Sequence, residues 1–382
     1  MSLGPIMMDL AGAEITPEEC EMLLHPLVGG VLLFTRNYEH PDQLQDLVRD
    51  IHALRDPHLI VAVDHEGGRV QRFRRGFTRL PPVALLGRVY DRDRAHGKDM
   101  AEVSGWLMAS ELRALDVDMS FAPVVDLGRG FGGVIGDRAF HREPQVVAEL
   151  AHAYRRGMRM AGMSATLKHF PGHGGVRADS HWELPQDERD RADIEWEDML
   201  PFERLIHQGV EAVMTAHVAY PCVDTSPATF SRIWVRDWLR GRLGFEGAVF
   251  SDDLSMQGAA VLGGYPDRAR AALEAGCDML PVCNHPEGVA EILDDIGHYE
   301  DPAGQLRLVR MHGKGRMTLD HLWGSSQWRA AVRAVQRYDP SSGFHGEEVQ
   351  RGRRMPGMCI AAENSFVMGI INREKSTSRS GS

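Results

Sequence analysis

The chain has 382 residues, 43% of them hydrophobic, enough to bury a large core; the length suits two or three ordinary domains or one α/β barrel with a tail. Its 54 acidic against 43 basic residues leave a formal net charge of -11, which argues against nucleic acid or an anionic membrane as the main partner and favours a small neutral or mixed-charge ligand. The five cysteines, Cys20, Cys222, Cys277, Cys283 and Cys359, are scattered without a CxxC spacing, which fits a reducing compartment better than a disulfide framework and disfavours structural zinc.

Short apolar runs predict strands at 5–9, 29–34, 59–64, 118–126, 164–169, 211–217, 247–252 and 277–282. Between and after them, helical spacing predicts helices at 17–25, 41–54, 98–115, 144–161, 196–208, 232–240, 266–275 and 286–296, several opening on a proline whose missing N–H costs nothing in a first turn. Eight βα units with nearly continuous apolar strands predict an α/β fold with a parallel sheet, closed into a (β/α)8 TIM barrel, with a doubly wound open sheet as the competing architecture. The barrel is favoured because Asp9, Asp64, Asp126, Lys168 with His169, His217 and Asp252 fall at strand ends, where such barrels gather catalytic groups.

A single catalytic domain over 1–338 is expected, followed by a C-terminal extension over 339–382 that is rich in Gly, Arg and Ser and partly disordered. The segment 327–337 is predicted to add a helix packed against the barrel. No run approaches the roughly 18 apolar residues of a spanning helix, and the N-terminus has no basic stretch followed by an apolar one, so a cytoplasmic protein is expected.

The run Lys168-His169-Phe170-Pro171-Gly172-His173-Gly174-Gly175, followed by Asp179-Ser180-His181, pairs a cationic strand end with a glycine-rich loop. Asp179 and His181 can form a dyad in which the carboxylate orients the imidazole and stabilises its protonated form, as proton transfer near neutral pH requires. A solvated turn is the commoner fate of such a triplet taken alone. In Ser251-Asp252-Asp253-Leu254 a buried strand breaks at two carboxylates, of which at most one faces the barrel axis while the other supports it or caps a helix. A carboxylate on one strand end and a proton-transferring His on another loop supply the nucleophile and the general acid/base of retaining glycoside cleavage.

The segment Asp64-His65-Glu66-Gly67-Gly68-Arg69-Val70-Gln71-Arg72 mixes acids, glycines and arginines in a way that suits a sugar's hydroxyls, or equally a surface ion-pair network. Arg138, in Ile135-Gly136-Asp137-Arg138-Ala139-Phe140, is a second candidate clamp. His217 reads either as a ligand-facing residue or, more commonly for its type, as a satisfied core histidine.

Together these motifs resemble glycoside hydrolase family 3, and within it the bacterial β-N-acetylglucosaminidases of cell-wall recycling. The resemblance spans about residues 5 to 300 and rests on the segments at Asp64, Ile135, Lys168, Asp179, Met214 and Ser251. It implies a (β/α)8 barrel, with Asp252 as nucleophile, His181 as general acid/base and Asp179 as its dyad partner. Asp64, Arg72, Arg138, Lys168, His169 and His217 would grip the N-acetylglucosamine ring. It further implies no metal or other cofactor, and a small-molecule substrate: N-acetylglucosaminyl-1,6-anhydro-N-acetylmuramic acid with or without peptide. A monomer with no nucleic-acid or membrane partner is expected.

Three other readings stay open at this level. A phosphorylase would use the same nucleophile with phosphate as acceptor, since an imidazole acid/base repels an anion less than a carboxylate does. A metal-dependent barrel hydrolase would take His169, His173, His181, His217 and Asp252 as ligands, although no His-x-His pair marks the first strand. A non-enzymatic sugar-binding protein would need none of this chemistry.

Overall fold

The computed structural model describes residues 2–130, 133–177, 180, 184–315 and 317–338. In chain order its strands are β1 (Ile6–Met8), β2 (Val28–Leu33), β3 (Ile60–Val63), β4 (His65–Gly67), β5 (Val70–Gln71), β6 (Met119–Ser120), β7 (Thr166–Phe170), β8 (Ala212–Thr215), β9 (Ala219–Tyr220), β10 (Asp224–Pro227), β11 (Ala248–Phe250) and β12 (Leu280–Val282). Each of the eight predicted strands overlaps one of these. The remaining four form two short antiparallel hairpins, β4–β5 and β9–β10, which follow strand ends and were not predicted.

The fold is α/β with parallel sheets, as expected. One sheet runs β12-β1-β2-β3-β6 and the other β11-β8-β7. Single parallel bridges join their edges, Met119 to Ser164 and Val124 to Lys168 on one side, and Phe250 to Met279 on the other. Because successive strand side chains point to opposite faces, the two faces build separate apolar clusters. Met7, Leu32, Ala62, Met119, Met214 and Phe250 share one cluster drawn from both sheets. Met8, Leu33, Val63, Val213 and Val249, each a sequence neighbour of one of these, pack instead in the larger cluster with the helices. Burial on both faces explains why these strands read as unbroken apolar runs.

The helices observed are close to those predicted: Pro17–Leu24, Pro41–Ala53, Arg94–Arg113, Pro144–Met160, Tyr265–Ala275 and Pro286–Ile296. Thr16 begins the first with a reciprocal capping box to Glu19. The predicted helices 196–208 and 232–240 overlap π-helical stretches, Ile194–Asp198 and Ile233–Arg242, the first running into Met199–His207. Helices Arg94–Arg113 and Pro144–Met160 cross at backbone contact. A Cβ on Gly105 would stand 2.1 Å from the Tyr154 carbonyl oxygen, and one on Gly157 would stand 2.0 Å from that of Glu102, so glycine is required at both.

The helix Ala84–Arg92 was not predicted, being short and separated from the next only by Asp93. At the C-terminal side, Pro302–Val309, Leu319–Gly324 and Ser326–Gln336 are helical. The last packs on Arg94–Arg113, where the Trp328 indole N–H donates to Glu111 at 2.8 Å. The predicted extension 339–382, with Cys359, lies outside the described residues. Among the described residues no helix is long and apolar enough to cross a membrane, and Cys20, Cys222, Cys277 and Cys283 are free thiols.

Candidate active site

The C-terminal ends of the parallel strands surround a cavity of about 480 Å³, within the roughly 300–1,000 Å³ range of small-molecule sites. Leu32, Phe34, Phe121, Met214 and Met256 supply apolar wall, and Asp64, Glu66, Arg72, Arg138, Lys168, His169, Asp252 and Asp253 supply the polar groups.

Chain geometry explains how they converge. Asp64 ends β3, and Glu66, two residues on in extended chain, points the same way from the β4 hairpin. Arg138 comes from the one-turn helix Gly136–Arg138, and Lys168 and His169 from the end of β7. The peptide bonds Lys168–His169 and Phe170–Pro171 are cis.

Glu66 is the hub of a buried ion network. Its carboxylate accepts from Arg138 Nε at 2.8 Å and from Arg138 Nη2 at 2.8 Å, and lies 2.7 Å from Lys168 Nζ. Lys168 also donates to Asp64 Oδ1 at 3.0 Å, while Arg72 reaches Asp64 Oδ2 at 3.5 Å. Burial alone would push the Glu66 carboxyl up, but the Arg138 and Lys168 cations outweigh it and hold Glu66 well below the usual carboxylate range. Burial likewise opposes charge on Lys168, and Asp64 and Glu66 reverse that, keeping its pKa above the ordinary value. Asp64 is lowered in the same way by Lys168 and Arg72, against its own burial. Glu66 lies in the Asp64–Arg72 segment but carries no role predicted from sequence; its two-residue spacing from Asp64 is the signal that marks it.

His169 is oriented by a second buried carboxylate. Its Nδ1 lies 2.7 Å from Asp126 Oδ2, and the backbone N–H groups of His169 and His173 donate to Asp126 at 3.2 and 2.7 Å. Burial raises the Asp126 carboxyl, yet its contacts with His169 bring it below the usual range. The ring's other nitrogen, Nε2, is thereby left to serve the cavity that His169 lines. His173 also lines the cavity, where its Nε2 lies 3.1 Å from Ser180 Oγ, and burial, with the nearby His169, lowers its pKa.

Both adjacent aspartates after β11 line the cavity, whereas strand alternation predicted only one. The reason is that β11 ends at Phe250, so Asp252 and Asp253 lie beyond the strand and its alternation. Asp252 Oδ1 accepts the Asp253 backbone N–H at 2.9 Å. Asp253 plays the supporting part foreseen for one of the pair: it accepts from Ser255 N, Ser255 Oγ and Cys283 N at 2.9, 2.7 and 3.1 Å. Burial, only partly offset by these bonds and reinforced by the Asp252 charge, raises the Asp253 carboxyl to about 6.

His217 lies outside the cavity lining. It is fully buried, stacked on Phe230 at 5.4 Å, with Nε2 3.0 Å from the Asp253 carbonyl oxygen. It therefore supports the turn that presents Asp252, which is the core reading of this residue. Asp179 and His181 lie outside the described residues; Ser180, between them in sequence, is buried in the cavity wall. The ligand set imagined for a metal-dependent hydrolase does not assemble among the described residues: His169, His173, His217 and Asp252 form no group with metal-ligand spacing.

A parallel α/β scaffold with a charged cavity at its strand ends and a carboxylate on a turn beside it is the arrangement of a glycoside-cleaving enzyme. Residues 6–301 match the Glycosyl hydrolase family 3 N terminal domain, and the chain belongs to that family. It is 59% identical over 341 residues to a beta-hexosaminidase of Thioalkalivibrio sulfidiphilus, covering 89% of this chain and 98% of that one. To a beta-hexosaminidase of Alkalilimnicola ehrlichii it is 55% identical over 344 residues, with 89% and 98% covered. Among solved structures it superposes on NagZ from Neisseria gonorrhoeae in complex with N-trifluoroacetyl-D-glucosamine with a TM-score of 0.84 and 45% identity, covering 88% of this chain and 97% of that one.

Proposed function

We propose that this glycoside hydrolase is a retaining exo-β-N-acetylglucosaminidase. It removes terminal N-acetylglucosamine from peptidoglycan fragments, N-acetylglucosaminyl-1,6-anhydro-N-acetylmuramic acid with or without peptide, in cytoplasmic cell-wall recycling. The observation that carries the reading is Asp252 lining the same cavity as the Glu66-centred network of Arg138, Lys168 and Asp64. The similarity to beta-hexosaminidases and to a NagZ that holds a glucosamine derivative supports the acetamido sugar.

In this mechanism Asp252 attacks the anomeric carbon as the C–O bond to the leaving group breaks. His181 gives that oxygen its proton, with Asp179 stabilising the imidazolium. Water, deprotonated by His181, then cleaves the glycosyl-enzyme ester with a second inversion. Asp64, Arg72, Arg138, Lys168 and His169 grip the sugar hydroxyls, polar groups whose partners already hold them in place before substrate arrives. His217 acts through the Asp252–Asp253 turn.

The scaffold is read as a closed (β/α)8 barrel. Support comes from the parallel bridges at both sheet edges and from one inner apolar cluster shared by both sheets, including the edge-to-face pair Phe121 and Phe250 with centroids 5.2 Å apart. The protein is taken to act as a monomer on a small soluble substrate, without nucleic-acid or membrane partners.

The test is hydrolysis of a chromogenic N-acetylglucosaminide against the matching glucoside, run in phosphate buffer with separate detection of free sugar and sugar phosphate. Preferential release of free N-acetylglucosamine is expected. Sugar phosphate as the main product would make the protein a phosphorylase, and no turnover of either compound would leave it a sugar-binding protein.

A further inference from the structure

At the opposite end of the parallel strands lies a second cluster of chemistry-bearing side chains that the proposed reaction does not use. His52 is in the last turn of helix Pro41–Ala53, His58 precedes β3, and Asp118 precedes β6. From His58 to Asp64 the chain runs six residues along β3, roughly 20 Å at the strand rise, so this cluster and the cavity are at opposite ends of one strand. We propose that His52, His58 and Asp118 bind a divalent transition-metal ion of the zinc type.

His52 Nε2 lies 3.2 Å from Asp118 Oδ2, and His58 Nε2 lies 3.6 Å from Asp118 Oδ1. One ligand atom from each of the three falls within 4.8 Å of the others. Ligands at about 2.0–2.2 Å from a tetrahedral zinc ion stand about 3.3–3.6 Å apart; the two imidazole-to-carboxylate distances, made to different oxygens of Asp118, are close to that spacing. The His58 Nε2 atom is buried and makes no hydrogen bond, Asp118 Oδ1 at 3.6 Å being too far off for one. A cation between the imidazoles and the carboxylate would satisfy it.

The cluster is held rigidly before any ion binds. The Asp118 carboxylate accepts the backbone N–H groups of Val61 and Gly313, each at 2.9 Å. The His52 and His58 rings pack with centroids 4.0 Å apart, and His312 packs on the other side of His58 at 4.1 Å, its Nε2 bonded to the His58 carbonyl at 2.9 Å. Such outer contacts orient metal ligands. The side chains of His52 and His58 are 20% and 37% exposed, so the cluster lies near the surface at this end of the strands, with the His58 Nε2 atom itself buried.

Two imidazoles and one carboxylate suit zinc or a neighbouring transition metal rather than calcium or magnesium, which prefer oxygen alone. The Arg113 guanidinium, 3.7 Å from Asp118 Oδ1, opposes the added charge and moderates affinity. An ion here would bind together the helix Pro41–Ala53, the approaches to β3 and β6, and through Gly313 the C-terminal segment, so its expected effect is on stability rather than turnover.

The experiment uses the full chain, stripped of metal with a chelator and then titrated with Co²⁺ and Zn²⁺. The unmodified protein is expected to show a Co²⁺ visible absorption band that saturates with the stoichiometry of this site. Saturating Zn²⁺ should raise Tm by about 5 °C. The double variant His52→Ala/His58→Ala should lose the band, one equivalent of metal and the Tm rise, while its metal-free hydrolytic rate stays within twofold. If the double variant folds poorly by circular dichroism, His52→Ala alone should weaken Co²⁺ binding at least tenfold. A band and stoichiometry unchanged in these variants, a signal abolished instead by His169→Ala, or no Co²⁺ binding by the unmodified protein would each overturn the proposal.

Discussion

The Lys168 ammonium lies 2.7 Å from Glu66 Oε1, and the Arg138 guanidinium holds the same carboxylate bidentately, with Nη2 on Oε1 and Nε on Oε2. One buried anion thus organises two of the cations proposed to grip the sugar. Removing it leaves two buried charges short of a partner, which costs more than the intact pair contributes. Glu66→Gln is expected to destabilise the protein by about 3–5 kcal/mol in chemical denaturation, and to raise KM more than it lowers kcat. A loss below about 1 kcal/mol would show that water or Asp64 replaces Glu66, and that the network is not organised around it.

Asp252→Asn removes the proposed nucleophile while keeping the side chain's size. Turnover of a chromogenic N-acetylglucosaminide should drop by about 10⁴-fold or more, with the far-UV circular dichroism unchanged. Activity within tenfold of the parent would transfer the nucleophile's role elsewhere.

His181→Ala should separate substrates by leaving group. An aglycone of low pKa departs with little protonation, so its cleavage slows modestly, whereas an alkyl or sugar leaving group needs the acid and slows by about 10²–10⁴-fold. Equal losses on both would remove His181 as the acid. Asp179→Asn should shift the same pattern partway, since its proposed task is to stabilise the imidazolium.

Asp253 makes a prediction about pH and stability. Its folded value of about 6 lies above the ordinary 3.8, so between these the folded protein binds more proton than the unfolded chain. Stability contributed by this group is greatest below about 3.8 and falls as pH rises to about 6, then levels off, a change on the order of 3 kcal/mol. In Asp253→Asn that fall is absent. The stability difference between variant and parent should therefore move in the variant's favour between pH 4 and pH 7, on top of a constant cost for the altered bonds to Ser255 and Cys283. A difference that stays flat across this window would mean Asp253 titrates normally.

Much of the scaffold could be read directly because its elements are locally encoded. Pro17, Pro41, Pro144 and Pro286 mark helix starts, and the eight apolar runs that became strands are bounded by turn residues. What escaped depends on neighbours. The hairpin β4–β5 is only a few residues long, and the helix Ala84–Arg92 follows Pro81-Pro82 with no separate amphipathic run long enough to stand out. The facing of Asp252 and Asp253 was misjudged because strand alternation was extended past Phe250, where the strand stops.

The linear sequence by itself determined which residue types were available at each strand end and, through Asp252, Lys168, His169 and Asp64, part of the polar cavity lining. Those residues are encoded beside the strands that carry them, so the parallel arrangement delivers them all to one end. Only the tertiary structure decided how their charges are paired. Glu66 meets Arg138 across 72 positions and Lys168 across 102, Asp126 meets His169 across 43, and His217 is drawn into the core behind Asp253. Those pairings follow from desolvation: once the strand ends are buried around the cavity, each buried charge must find an opposite charge or a fixed hydrogen bond, and that partner is chosen by distance in space rather than along the chain.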